Sequence, residues 1–442
     1  MSYTSTPELN KLSSTEKKAY KSYGLALLIA VYEMELVNKD YDQEQILNLD
    51  SIKYCLEALP KDTREKFSDW FIQLSQKEVV QLMDEVIKVQ NTDYIFNDIA
   101  ESFYDADEQK RRGIVLTPKW LANYHTNKAI TYWNQLNAGK GIPKKVADLS
   151  CGAGVFIKEL QSSLDTKSNI YGVDISHDYV FFTRLATVSD KITKNIIIHC
   201  LDTLTDLRVK EQIELFQEEE IIPVNNYDII VGNPPYVRSQ QLDSGYSKII
   251  KDYYTEFVDG NFDLTVPFLA HTFKALSDGG IGALVVSSKF MSSKYGKKIC
   301  SVLAKQTRIL EITDFGDGQV FPKKTTYTCV IIFAKLPPNG DISIYKFPPG
   351  LKWDNKESYL KDASMSVIPQ KQLEEHPWNL TSGFHEEILK KFIDSSNPKL
   401  TDVFPRIIQG VRTGANNIFV VNSKDNDLLE SETMYPYIDG TN

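Results

Sequence analysis

From Gly113 to about Lys335, short apolar runs alternate with helical stretches, and this alternation limits what the chain can fold into more than any other feature. The runs are Val146–Leu149, Ile170–Val173, Ile196–His199, Tyr227–Val231, Gly282–Val286 and Val330–Phe333. Strands separated by helices build a mostly parallel sheet with helices on both faces, an α/β architecture. No internal repeat or low-complexity tract competes with that reading.

The flanks read differently. Residues 1–105 read as a helical N-terminal domain: Ser13-Ser14-Thr15-Glu16 is a capping box before an amphipathic run to Asn38, and Asp62-Thr63-Arg64-Glu65 is a second. Phe67, Trp70, Phe71 and Leu74 fall at helical spacing, and no Asp…Glu-x-Lys nuclease set stands in a strand context. The catalytic α/β domain is expected over 106–345. Beyond Pro337-Pro338-Asn339-Gly340 the pattern is irregular, so 346–442 is expected to be a connector and the start of a further domain.

At 442 residues the chain is too long for one ordinary domain, and its 42% apolar and 25% charged content is that of a globular protein. The longest apolar candidate for a membrane span, Leu25 to Val31, is followed at once by Glu33 and Glu35, so no membrane partner is expected. The N-terminus lacks the basic and apolar regions of a signal peptide. Five widely spaced cysteines exclude a full disulfide framework and a Cys-x-x-Cys knuckle, which points to a reducing cytoplasm. None of the six histidines has metal-ligand spacing, so no metal is expected. A net charge of −9 argues mildly against a protein coated in nucleic acid, but phosphate contact depends on local patches. Lys110-Arg111-Arg112, Lys294 with Lys297-Lys298, and Lys323-Lys324 are such patches, and each alone is more often solvated surface.

Val146-Ala147-Asp148-Leu149-Ser150-Cys151-Gly152-Ala153-Gly154 reads as a strand entering a glycine turn and then a helix. Gly152 and Gly154 allow the backbone close to a ligand, and the helix N-terminus offers free N–H groups, with Ser150 in the same turn. A dinucleotide site would want a third glycine where Ile157 stands. Asp148 before the glycines suits a cation, the sulfonium and ammonium of S-adenosyl-L-methionine, better than a pyrophosphate. Asp174 ends the next strand, where a carboxylate can accept both ribose hydroxyls, and Ile175 can pack on the adenine face. Asp202 follows the third strand, where the cofactor's amino group would lie. One Asp after a strand is usually a turn former; three at successive strand ends behind a glycine loop reverse that expectation.

Tyr227 to Val231 runs into Gly232-Asn233-Pro234-Pro235-Tyr236, the most specific stretch of the chain. Consecutive prolines after a buried strand end sheet pairing and fix the loop, a poor choice for stability alone. An aromatic amine is a weak nucleophile because its lone pair is delocalised. The Asn233 side-chain oxygen and the Pro234 carbonyl, aimed at its two N–H bonds, would push the nitrogen towards tetrahedral geometry, with Pro235 helping to hold that carbonyl. Tyr236 would stack on the base, worth roughly 1–3 kcal/mol. A base within a duplex must be flipped out to reach such a pocket.

In this order the motifs resemble the gamma class of N6-adenine DNA methyltransferases of restriction–modification systems, the TaqI-like and type IIG methylase domains. The resemblance runs from about Gly113 to Phe333, and weakly beyond. It implies a Rossmann-like S-adenosylmethionine-dependent fold with a mostly parallel seven-stranded sheet, and adenine as the target because Asn leads the catalytic motif. Gly113-Ile114-Val115-Leu116-Thr117-Pro118 matches a motif whose Thr117 and Pro118 the family places at the methionine part of the cofactor. In Gly260-Asn261-Phe262-Asp263-Leu264, Phe262 would lie near the cofactor adenine. Phe321, with Tyr327 in reserve, would be the second aromatic against the flipped base, and Lys323 and Lys324 would contact phosphate.

Ile407 to Asn417 resembles the opening of the family's target-recognition domain, which usually continues well beyond Asn442. The expectation is a DNA-reading half on another chain or a shortened product, so double-stranded DNA and a separate specificity or restriction subunit are the expected partners. The long N-terminal nuclease of the fused enzymes has no counterpart in residues 1–105. Two other readings stand beside DNA methylation in restriction–modification or related phage defence. One is an amino-methyltransferase acting on protein glutamine or RNA, which generally lacks the second aromatic motif. The other is a non-catalytic cofactor- or DNA-binding defence subunit, against which the intact Asn233–Tyr236 set speaks.

Overall fold

Ser13 caps the first helix, α1 (Ser14–Glu33): its hydroxyl accepts from the Glu16 N–H at 3.2 Å, and the Glu16 carboxylate accepts from the Ser13 N–H at 2.8 Å. The described residues in this computed structural model are 13–33, 43–75, 77–82, 96, 99–100, 103–113, 115, 117–188, 195–206, 225–316, 320–321, 327–347, 363–381 and 391. The run expected to reach Asn38 is helical from Ser14 to Glu33, and its remaining residues, 34–38, lie outside the described residues, as does the stretch resembling a recognition domain. Three short helices follow, α2 (Gln43–Asn48), α3 (Asp50–Leu56) and α4 (Lys61–Ile72). The second expected cap differs: α4 begins before Asp62, its N-cap is Pro60 with no side-chain bond, and Asp62 pairs instead with Lys66 at 2.9 Å. Then come α5 (Ala106–Arg112) and α6 (Lys119–Leu136).

The sheet is built from β1 (Lys145–Asp148), β2 (Asn169–Asp174), β3 (Asn195–Cys200), β4 (Tyr227–Gly232), β5 (Leu276–Ser287), β6 (Arg308–Asp314), β7 (Thr328–Ala334), β8 (Asp341–Lys346) and β9 (Ser364–Pro369). Their order is β3-β2-β1-β4-β5-β7-β6-β8-β9. The first five pair in parallel, and β7 runs antiparallel between β5 and β6. Seven strands make the expected core, and β8 and β9 extend it past β6. Helices α7 (Val155–Ser163), α8 (His177–Val188), α9 (Ser244–Tyr253), α10 (Thr265–Ala275) and α11 (Lys297–Gln306) connect the strands.

Successive strand residues feed opposite cores, as the two-residue period demands. Val146, Ile229, Val231 and Val330 join a core with α6, α7, α8 and the N-terminal helices. Ala147, Ile230, Val286 and Ile331 join the other, with α10 and α11. Helices therefore cover both faces.

Two features fall outside the strand pattern read from sequence. β6 carries Glu311 in its middle, fully buried, which interrupts the apolar run that marks a central strand. β8 and β9 lie in the region that reads as irregular, and β9 is an edge strand with Met365 and Val367 exposed. β9 pairs with β8, so it belongs to the same sheet although it lies beyond residue 345.

Candidate active site

The strand order reverses between β1 and β4, the crevice where open α/β sheets bind ligands. A cavity of about 390 Å³ opens there. The loops after four parallel strands meet in it: Ser150 and Gly152 after β1, Asp174 and Ile175 at β2, Asp202 after β3, and Asn233 with Pro235 after β4. Residues expected from distant parts of the sequence to hold one ligand are thus brought to one cavity.

The glycine turn is held on three sides. The Cys151 N–H donates to the Val173 carbonyl at 2.9 Å, the Gly152 N–H to Asp174 Oδ2 at 2.8 Å, and the Thr183 hydroxyl to the Gly152 carbonyl at 2.7 Å. Gly154 has φ +91°, and a Cβ there would lie 2.9 Å from Thr183 Cγ2. The left-handed backbone and the close approach of α8 both require glycine.

Asp174 Oδ1 also accepts from the Ser176 N–H at 2.9 Å. Burial outweighs these bonds and pushes its carboxyl up to about 6. Asp148 sits behind Ser150 rather than in the cavity wall. Its Oδ1 accepts from the Ser150 N–H at 3.0 Å, and its Oδ2 is buried without a partner. Burial pushes this carboxyl up to about 8. Gly232 leaves room for it, since a Cβ at that position would stand 2.8 Å from Asp148 Oδ1. Ile175 is 68% exposed, an apolar side chain bare to solvent at the cavity. Asp202 Oδ1 accepts from the Leu204 N–H at 2.9 Å, closing the turn after β3.

Asn233 is oriented by its own amide chemistry. Its Nδ2 donates to the Val115 carbonyl at 2.9 Å and to Thr117 Oγ1 at 3.0 Å. Because a carbonyl only accepts, the nitrogen must face Val115. The Asn233 Oδ1 is left buried and without a partner. The Tyr236 N–H donates to the Gly113 carbonyl at 3.3 Å, and the Tyr236 ring meets Phe321 edge-on at 6.2 Å.

The remaining expected residues sit as follows. Pro118 is the N-cap of α6, and Thr117 is buried against Asn233 rather than in the cavity wall. Phe262 is buried in the layer beneath, and Leu264 and Phe268 line the cavity from that segment. Phe321 is 1% exposed, whereas Tyr327 is 47% exposed, with the Lys289 ammonium 5.2 Å above its ring. Lys323 and Lys324 lie outside the described residues.

Arg111, Arg112, Tyr179 and Tyr246 also line the cavity and were not singled out from the sequence as site residues. The basic run Lys110-Arg111-Arg112 reads as surface by itself. Its place directly before Gly113 is the signal that would have carried it to the cavity rim. The guanidinium of Arg112 lies 4.7 Å over the Tyr104 ring and bonds Glu108 at 2.5 Å. Tyr246 has no sequence signal beyond being aromatic; burial, then the Asp202 charge, push its hydroxyl pKa up.

The sheet order, the switch-point cavity and the glycine turn define a Rossmann-like methyltransferase fold. Residues 168–321 match the family described as Eco57I restriction-modification methylase. The chain is 23% identical over 370 residues to the type II restriction enzyme and methyltransferase RM.Eco57I of Escherichia coli, spanning 71% of this chain and 37% of that protein. It is 26% identical over 241 residues to the type II methyltransferase M.BstVI of Geobacillus stearothermophilus, spanning 51% of this chain and 42% of the relative. The chain therefore matches about two fifths of these relatives' lengths. Among solved structures, a cryo-EM DrdV–DNA complex aligns with a TM-score of 0.53 at 15% identity, over 85% of this chain and 47% of that one. The type IIG restriction endonuclease BpuSI aligns with a TM-score of 0.51 at 13% identity, over 83% and 44%. In sequence the chain resembles the methylases of restriction–modification systems.

Proposed function

We propose that this chain transfers a methyl group from S-adenosyl-L-methionine to the exocyclic N6 amine of an adenine flipped out of double-stranded DNA. The observation that carries the reading is the Asn233 amide, pinned through its nitrogen with its oxygen buried and unpartnered beside the cavity. A buried acceptor without a donor is costly and rare, and an incoming amine would satisfy it.

The residues present fit the cofactor. The Cα of Gly152 faces open space where a side chain would intrude, the Asp174 and Asp202 carboxylates line the cavity, and Asp148 Oδ2 is an orphaned buried acceptor. Ser150, Gly152, Asp174, Ile175 and Asp202 would hold the cofactor, with Asp148 fixing the Ser150 turn from behind. The bound cofactor supplies a methyl group activated by a sulfonium. Asn233 Oδ1 and the Pro234 carbonyl accept the two amine N–H bonds and draw the nitrogen lone pair out of conjugation. Tyr236 stacks on the extruded base, with Phe321 edge-on to its ring and the half-exposed Tyr327 in reserve. The amine proton leaves once the nitrogen is alkylated, so no strong base is needed.

The reading extends to a cytoplasmic enzyme of a restriction–modification or related phage-defence system, with a separate specificity or restriction subunit as partner. Among the described residues no helix is long and apolar enough to cross a membrane. The similar DrdV structure is a complex with DNA, which supports DNA as the substrate. Lys323 and Lys324 are proposed to contact phosphate.

The test is incubation with radiolabelled S-adenosyl-L-methionine and unmethylated bacterial DNA, followed by assay for N6-methyladenine. The expected outcome is label in adenine that disappears with Asn233→Ala. Label in cytosine, or in protein or RNA instead of DNA, would overturn the reading.

A further inference from the structure

We infer that Thr117 is a positioning residue for the reacting amine, acting by fixing which way the Asn233 amide points. The inference rests on the proposed amine methylation and gives Thr117 a different task from the cofactor contact that the motif's resemblance implies.

An asparagine amide is nearly symmetric in shape, and its two ends differ only in hydrogen bonding. To accept from an amine, Asn233 must present oxygen to the pocket and nitrogen to the protein. Both amide protons are engaged by one short strip of chain, Val115 through its carbonyl at 2.9 Å and Thr117 through its hydroxyl at 3.0 Å. Thr117 is 4% exposed, so no solvent can replace that acceptor. With one anchor the amide can swing about its side-chain bonds; with two it is held in plane and in position.

The strip is itself clamped to the catalytic loop. Gly113 has φ +65°, and a Cβ there would lie 2.3 Å from Val237 Cγ2 and 3.1 Å from the Tyr236 backbone, so only glycine lets the two segments run this close. The Tyr236 N–H donates back to the Gly113 carbonyl at 3.3 Å. Gly113 and Val115 also line the cavity. The segment that touches the cofactor space on one side thus sets the orientation of the acceptor on the other.

The test compares Thr117→Val, which keeps the shape and removes the hydroxyl, with Thr117→Ser, which keeps the hydroxyl. Turnover on unmethylated bacterial DNA at saturating S-adenosyl-L-methionine is measured beside cofactor affinity by calorimetry and melting temperature. The expected result is a fall in kcat of about 10–100-fold for Thr117→Val, the loss that a misplaced reacting group brings. Cofactor Kd and DNA KM stay within about twofold, and Thr117→Ser returns to near wild type. Cofactor affinity that weakens as much as turnover, with kcat recovered at saturation, would overturn the inference in favour of a cofactor contact. Equal losses in the Val and Ser variants would overturn it too.

A second measurement does not depend on methyl transfer. With ¹⁵N-asparagine labelling and Asn233→Asp for assignment, the Asn233 side-chain protons are expected to exchange slowly in the wild type and faster in Thr117→Val. Fast exchange in the wild type would overturn the positioning role whatever the enzyme's substrate. Protection together with no methylation of DNA would keep the role and remove the proposed substrate.

Discussion

Asp174 and Asp148 meet the same glycine turn and differ in what they face. Asp174 lines the cavity and is pushed up from 3.8 to about 6, so its carboxylate is fully ionised only above that value. An ionised carboxylate accepts hydroxyl protons better than a protonated one. Affinity for S-adenosyl-L-methionine is therefore expected to be full above about pH 6 and to fall as pH drops through it. Calorimetric titration from pH 5 to 8 checks this; Asp174→Asn should bind weakly with no step. Asp148 is pushed up from 3.8 to about 8, so the folded, cofactor-free protein holds a proton that the unfolded chain has released. With the folded pKa above the unfolded one, that contribution is complete below about 4 and is lost as pH rises through about 8. Asp148→Asn should flatten the decline in urea midpoint between pH 5 and 9, and an unchanged slope would count against Asp148 as its source.

At the scale of elements, β6 shows how a charged residue is built into a central strand. Glu311 is fully buried and accepts from the Tyr124 hydroxyl at 2.5 Å, the Tyr132 hydroxyl at 2.9 Å and the Lys128 ammonium at 3.1 Å. The Thr313 hydroxyl donates to it from the same strand at 3.1 Å. Three of these donors lie on α6 at spacings of four residues, so one helix face serves one carboxylate. The Lys128 ammonium also lies within 5.7 Å of the Tyr124, Tyr132 and Tyr345 rings. Removing one partner of a buried pair strands the others and typically costs about 3–5 kcal/mol. Lys128 keeps 28% of its side-chain surface in solvent, which places the expected loss for Glu311→Ala near the lower end of about 3–5 kcal/mol. Denaturant unfolding checks it, and Glu311→Gln should lose less because it still accepts.

At the scale of the whole molecule, the N-terminal helices dock on α8, the helix that follows β2. Tyr23 from α1 and Tyr104 both donate to Asp178 at the start of α8, Tyr104 at 2.6 Å. Arg184 in α8 donates to the Tyr54 carbonyl at 2.6 Å, and His177 Nδ1 lies 2.9 Å from the Ala58 carbonyl. Phe181 and Phe182 of α8 are fully buried, in ring contact with Tyr23, Phe67 and Phe103. A fragment beginning at residue 106 would expose this aromatic face, a surface that drives aggregation. Low soluble yield and strong binding of a hydrophobic dye are expected. A monomeric fragment with full cofactor affinity would show that the layer is dispensable for the catalytic sheet.

What the chain declares by itself is local and periodic. The alternation of apolar runs and helices, the strand-to-glycine turn at Asp148–Gly154 and the rigid Asn233–Tyr236 loop are consecutive residues, so their chemistry can be read in order. The capping box at Ser13 and Glu16 is legible for the same reason. Tertiary structure decided the rest because the deciding partners are far apart in sequence. Glu311 hid β6, since a carboxylate reads as surface until Tyr124, Lys128 and Tyr132 are brought onto it from α6. Edge strand β9 carries half-exposed residues with little apolar signal and exists only because β8 offers it a ladder. Asp148 and Asp174 share a residue type, a place at a strand end and a buried carboxyl. The Ser176 and Gly152 N–H donors and the Arg112 charge hold Asp174 to about 6, whereas Asp148, bonded at Ser150 and facing the Asp174 charge, rises to about 8. The amide direction of Asn233 follows from acceptors at Val115 and Thr117, which no spacing in the sequence links to it.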